Sequence, residues 1–280
     1  MPEPTVQMQL RSPDGLMVHV TEWGTPAGPE ILFVHGIGAS CAAWLAQVSS
    51  PALQRFRMVA YDLRGHGESD KPADASNYEN PALWAEELHT VMQESKLVRP
   101  VVVAWSYGGR VLLDYVERFG CEGLAGVNFV AAMPINDPEF AGSALFSSER
   151  SQPRGGLSAQ HAERAFVSRM TFLPRSVQHV DLAVETMLIV PASLKGALRH
   201  RARTTEEMLR SISCPVQLTH GLADSIILPS ASRHAARHFP DARLSLYERC
   251  GHMPFLEHEA RFNQELASFV DHAIEGAKPL

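Results

Sequence analysis

VVVAWSYGGRVLLDYV, residues 101–116, decides the fold. Five apolar residues lead into Ser106, and from Tyr107 onward Val111, Leu112, Tyr115 and Val116 recur at helical spacing. A strand therefore turns into a helix with a single serine between them. A strand that is apolar at every position is buried on both faces, as in a parallel sheet covered by helices. Ala104 and Gly108, two positions to either side of the serine, have too little bulk to hold the strand and helix backbones apart. Such a turn strains the serine and exposes its hydroxyl, which is the setting of a nucleophile elbow. The usual pattern is G-x-S-x-G; here Ala104 takes its first glycine position, where a methyl group still leaves the turn room.

Working outward, further apolar runs at 31–35, 58–62, 126–131, 216–220 and 243–247 alternate with helical patterns near 41–48, 81–97, 107–119, 229–238 and 258–275. The last carries Phe262, Leu266, Phe269 and Val270 on one stripe. Ahead of them, residues 6–24 alternate apolar and polar about Ser12-Pro13-Asp14-Gly15, which predicts a β-hairpin. The expected fold class is α/β: a mostly parallel sheet opened by an antiparallel hairpin, with helices on both faces. Residues 137–211 show helical patterns without a strand, so they are expected to form an inserted helical cap on a core of residues 1–136 and 212–280.

A chain of 280 residues can bury a core that needs neither disulfides nor metal to hold it. At 45% hydrophobic and 20% charged residues, disorder and fibrous architecture are excluded. The net charge of -6 argues against the broad basic footprint of a nucleic-acid binder. MPEPTVQMQL lacks the basic and apolar segments of a secretory leader, and no run approaches the roughly 18 apolar residues of a membrane span. A cytoplasmic protein acting on a small molecule, with no membrane partner, is the expectation. Cys41, Cys121, Cys214 and Cys250 form no C-x-x-C pair and read as small buried hydrophobes. His234 and His238 are four residues apart, but Ala-Ala-Arg lies between them where a zinc-protease helix has Glu-x-x, so they read as a solvated helix face. Neither metal nor cofactor is expected, and oligomeric state is left open.

A serine hydroxyl attacks only when a base takes its proton and a third group orients that base. On a sheet of this kind the partners follow in the order serine, acid, histidine, at the carboxyl ends of later strands. Asp224 lies just beyond the run 216–220, and His252 just beyond 243–247. Ser106, Asp224 and His252 are the candidate catalytic set. An oxyanion also needs donors. The backbone N–H of Tyr107 directly follows the serine, and His35-Gly36-Ile37-Gly38, after an earlier strand, offers that of Ile37. Trp105, Ile226, Met253 and Phe255 flank these positions, and the cap adds Phe140, Phe146, Phe166, Phe172, Met187 and Leu188. From these, Trp105, Ile226, Met253, Phe140 and Phe166 are expected to bind an apolar substrate.

His35-Gly36-Ile37-Gly38, Asp62-Leu63-Arg64-Gly65-His66-Gly67-Glu68-Ser69, Ala104-Trp105-Ser106-Tyr107-Gly108-Gly109, His220-Gly221-Leu222-Ala223-Asp224 and Gly251-His252-Met253-Pro254-Phe255 occur in register along the chain. In these five motifs the sequence resembles the α/β-hydrolase superfamily over nearly its whole length. The resemblance is strongest to the branch of small carboxylesterases and cofactor-free haloperoxidases or perhydrolases. It implies cofactor-free cleavage of a carboxylic ester through an acyl-enzyme, with perhydrolysis as the alternative. A lyase or a small-molecule receptor on the same fold is a further alternative. Epoxide hydrolases and haloalkane dehalogenases share the layout with aspartate as nucleophile, and Ser106 argues against both. Gly36-Ile37-Gly38 followed by Asp62 also imitates part of a dinucleotide fingerprint, but Cys41 occupies its third glycine position.

Overall fold

The computed structural model describes residues 3–135, 137–145, 159–197 and 204–276. It opens with the hairpin of β1 (Val6–Arg11) and β2 (Met17–Gly24). There follow β3 (Glu30–Val34), a 3₁₀ turn (Cys41–Trp44) running into α1 (Leu45–Val48), β4 (Arg57–Tyr61), α2 (Ser76–Glu79) and α3 (Pro81–Glu94). β5 (Val101–Trp105), α4 (Tyr107–Phe119) and β6 (Gly126–Val130) complete the first half. Between β6 and β7 (Val216–Gly221) lie a 3₁₀ turn (Pro138–Phe140), α5 (Ala159–Ser168), α6 (Val177–Leu188), α7 (Ala192–Ala197) and α8 (Glu206–Arg210). The chain ends with α9 (Ser230–Ala235), β8 (Ala242–Tyr247), α10 (Pro254–Glu257) and α11 (Glu259–Glu275).

The strands form one eight-stranded sheet, ordered β1-β2-β4-β3-β5-β6-β7-β8. β2 is antiparallel to both its neighbours, and β4 through β8 pair in parallel. The carboxyl ends of the parallel strands therefore share one edge, where an open α/β sheet builds its sites. Alternate side chains serve opposite layers. Leu32, Val34, Val59, Val102 and Ala104 pack with Trp84, Leu88 and Leu112 of α3 and α4. Ile31, Phe33, Met58, Val101 and Val103 pack with Phe262, Leu266, Phe269 and Val270 of α11. No helix of the described residues is long and apolar enough to cross a membrane.

The helix expected over 81–97 ends at Glu94. Lys96 adopts φ 53°, and the Leu97 N–H reaches back to Met92 O while the Lys96 N–H reaches Gln93 O. This is a left-handed helix stop made without glycine, so no residue type announced it. Of residues 137–211, those described contain no strand, only a single antiparallel bridge from Ala141 to Ile227. Phe140, Phe166, Val167, Val180 and Met187 form a cluster with Ile226 and Ile227. Val190, Leu194, Ala197 and Leu209 join the layer beneath α3 and α4 instead, so the returning part of the insertion packs on the sheet's own core. Phe146 lies outside the described residues.

The loop after β4 is built around two buried ion centres. Arg64 donates to Glu87 at 2.9 Å and to Asp14 at 2.9 Å, and also caps the carbonyls of Asn77 and Leu83. Asp62 accepts the N–H groups of Cys41 and Glu68 on its two oxygens. Gly67, at φ +46°, has to be glycine because a Cβ there would stand 2.0 Å from the Asp62 carboxylate. Buried, and with both oxygens accepting backbone N–H groups, Asp62 organises this loop. His66 packs edge-on to His35 in this loop. Burial, then the neighbouring His35, pushes its pKa from 6.5 down to about 3; burial also lowers that of His35.

An unfolded chain takes up these protons below about pH 6.5, where the native state still excludes them. Native stability should therefore fall with acid by about 1.4 kcal/mol per pH unit for His66 alone, from about pH 6 towards the folded pKa. Urea unfolding at pH 7, 5 and 4 measures the slope, and His66→Gln should flatten it. An equal slope in the variant would remove His66 as the cause.

Candidate active site

β5 delivers Ser106 into the turn at φ 53°, ψ -116°, a conformation that L-residues rarely hold. The turn is locked from both sides: the Ser106 N–H donates to Val130 O at 2.9 Å and the Gly109 N–H to Ser106 O at 3.0 Å. Close approach explains Gly108, since a Cβ there would stand 2.5 Å from the Val34 carbonyl. The Ser106 side chain points at the loop after β8, where His252 Nε2 lies 2.9 Å from its Oγ. His252 Nδ1 in turn lies 2.7 Å from Asp224 Oδ2. Three residues that follow the ends of three different strands are thereby joined in one hydrogen-bonded line.

The acid is held by more than the histidine. Its Oδ1 accepts the N–H groups of Ile226 at 2.8 Å and Ile227 at 3.1 Å. Its Oδ2 also meets His220 Nε2 at 3.1 Å. That same Nε2 is 3.0 Å from the Ile227 carbonyl, so it carries the proton, and Nδ1 accepts from Ser232 Oγ at 2.7 Å. Burial works to raise the Asp224 pKa. The positive charge that His252 can carry and the hydrogen bonds from His220 and His252 outweigh it, so the carboxyl is held well below the usual range.

On the other side of the serine, Gly36 lies close enough that a Cβ on it would touch Ser106 Cβ at 3.1 Å. His35 Nε2 accepts the Leu63 N–H at 3.0 Å, so Nδ1 bears the ring proton and donates to Gly36 O at 2.8 Å. Because that carbonyl and the Ile37 N–H belong to one trans peptide, fixing the first fixes the direction of the second. His35 is thus a positioning residue for the expected oxyanion donor. Nothing in its sequence setting beyond its place before Gly36 signals that role.

The histidine loop is tied to the insertion. The His252 N–H donates to Met170 O at 2.6 Å. Glu257 accepts the Gly251 N–H on Oε1 at 2.8 Å and the Phe172 N–H on Oε2 at 2.6 Å. Trp105 closes the loop from below, its indole N–H donating to His252 O at 2.9 Å.

Beside the serine lies a cavity of about 650 Å³, walled by Ile37, Trp105 and Met253 from the core and by Met170, Phe172 and Met187 from the insertion. Ser106, Tyr107 and His252 are not among its lining residues; Ser106 and His252 instead adjoin in sequence the lining residues Trp105 and Met253. Of the side chains expected at the substrate, Trp105 and Met253 border this cavity. Ile226, Phe140 and Phe166 do not: they fill the cluster between insertion and core. Leu188 lies exposed on the surface. Residue type marked these side chains as apolar, but not the surface each would cover.

Residues 31–265 match the model of the alpha/beta hydrolase family. A solved structure from Burkholderia cenocepacia, provisionally named an aryl esterase, is 30% identical, with 96% of this chain and 100% of that one covered at a TM-score of 0.89. An esterase from a Rhodococcus species is 29% identical, with 95% of this chain and 98% of that one covered at a TM-score of 0.84. A non-heme chloroperoxidase of Kitasatospora aureofaciens is 23% identical over 274 residues, which are 92% of this chain and 97% of that protein. The chain belongs to the alpha/beta hydrolase family.

Proposed function

We propose that the protein is a serine hydrolase cleaving carboxylic esters of small or medium apolar substrates through an acyl-enzyme. The observation that carries this reading is the line from Ser106 Oγ through His252 to Asp224, with spacings of 2.9 and 2.7 Å. His252 takes the Ser106 proton as the oxygen attacks the ester carbonyl. The Ile37 and Tyr107 N–H groups receive the oxyanion. His252 then protonates the departing alcohol, and a water that it deprotonates releases the acid. Asp224 stays ionised throughout and keeps the imidazole in the tautomer whose Nε2 faces the serine. No step calls for a cofactor. The largely apolar walls and the size of the cavity support a small or medium acyl or alcohol group.

A second reading, perhydrolysis, draws on the likeness to a chloroperoxidase. Hydrogen peroxide would replace water on the acyl-enzyme, freeing Ser106 and releasing a peracid that oxidises halide. An acyl chain-length series of esters, run beside thioesters, lactones and amides and beside peroxide-dependent bromination in acetate, tests both readings. Ester turnover should be highest for short and medium chains, with bromination secondary. Amide or thioester turnover above that of every ester would overturn the carboxylesterase reading, and bromination exceeding ester hydrolysis would favour the second.

A further inference from the structure

Glu206 opens α8, on the chain's return from the insertion, and faces His234 of α9 and His238 in the turn that follows. One ligand atom from each of the three lies within 4.8 Å of the others. Glu206 Oε1 stands 3.4 Å from His234 Nε2 and 3.5 Å from His238 Nε2. These separations exceed a good N–H···O bond of about 2.7–3.2 Å. They match the edge of a zinc tetrahedron: two ligand atoms each about 2.1 Å from the ion, at the tetrahedral angle, are about 3.4 Å apart.

We propose that Glu206, His234 and His238 form a three-ligand zinc site, separate from the serine centre, with solvent as the fourth ligand. Two imidazoles and one carboxylate suit zinc and disfavour calcium or magnesium, which take oxygen ligands. The side chains are partly prearranged. Arg210 donates to Glu206 Oε2 at 2.9 Å, which leaves Oε1 facing the histidines. The His234 ring rests against Phe140 at 5.2 Å and against His238 at 4.8 Å, which limits its rotation. The same Arg210 nitrogen is 3.2 Å from His238 Nδ1. When zinc takes Nε2, that ring's proton resides on Nδ1, so Arg210 gives up this contact and keeps the one to Oε2. The ion would pin α8 to α9, and α9 carries Ser232, whose hydroxyl holds His220 against Asp224. Its effect is to clamp the returning insertion to the element that supports the acid, while no step of the ester chemistry passes through it.

Zinc chloride titrated into the metal-free full chain, in competition with a chromophoric chelator, should show one ion per chain at this site. The thermal midpoint should rise with zinc concentration, as for any ligand that binds only the native state. Affinity should fall at least about 100-fold in Glu206→Gln and in His234→Ala, because losing even an orienting partner of a ligand costs about 10–100-fold. Cobalt(II) should give the intense visible bands of a four-coordinate ion in the parent and lose them in both variants. Glu206→Gln changes one partly exposed side chain, so the test survives if His234→Ala does not fold. No binding by the parent, or zinc affinity and stoichiometry unchanged in Glu206→Gln and in a His234→Ala/His238→Ala double variant, would overturn the proposal.

Discussion

Replacing Ser106 by alanine is expected to lower ester turnover by about 10⁴-fold or more while leaving the fold intact. The hydroxyl it removes is the one that faces His252 Nε2 at 2.9 Å from a strained strand-to-helix turn. The rest of the machinery, including the backbone donors, survives the change, so a small residual rate above that of water should remain. A fluorophosphonate probe should add one label to the parent and none to the variant. Peracid-dependent bromination should disappear together with ester hydrolysis. Labelling that persists in Ser106→Ala would place the nucleophile elsewhere.

Asp224→Asn should be nearly as damaging, by about 10³- to 10⁴-fold in kcat, although it changes little in shape. The carboxylate is surrounded only by donors: His252 and His220 at Oδ2, the Ile226 and Ile227 N–H groups at Oδ1. An asparagine has one accepting oxygen. Whichever way its amide is turned, the NH₂ group meets two N–H donors that cannot accept from it. Turned one way, it forces His252 towards the wrong tautomer; turned the other, it orphans two buried backbone donors at about 1–3 kcal/mol each. Loss of kcat accompanied by a lower urea midpoint is the expected outcome. An Asp224→Asn protein within about tenfold of the parent would show that His252 is oriented by some other group.

Strand ends were the most legible part of the sequence. A buried parallel strand is a short apolar run with an abrupt polar end, and Ser106, Asp224 and His252 each stand close after such an end. What joins them to their supports is less visible. His220 reaches Asp224 from inside a strand, at a position that reads simply as the polar end of an apolar run. Glu257 acts through backbone N–H groups of Gly251 and Phe172, and every residue has a backbone N–H. The turn at Lys96 is hidden in the sequence because its left-handed stop uses a residue type that also belongs inside helices. Phe140, Phe166 and Ile226 illustrate a separate limit. Hydrophobicity says that a side chain leaves water, whereas whether it meets a substrate or another side chain depends on the path of the insertion. Glu206 approaches His234 and His238 by the same path, so the pair of histidines taken alone read as a solvated face.

The two oxygens of Glu257 bear on heredity. One holds the backbone beside His252 and the other holds the insertion at Phe172, while Met170 supplies an acceptor for the His252 N–H. Residues 170–172 and 251–257 are thus joined as one mechanical unit, though some eighty positions of chain separate them. Recombination between relatives that exchanges the insertion alone would give Glu257 a foreign loop to grip and shift the imidazole even with the serine, histidine and aspartate all retained. Chimeras that carry both segments from the same parent are expected to keep the imidazole in place, so that exchanging the insertion calls for exchanging the end of the chain with it.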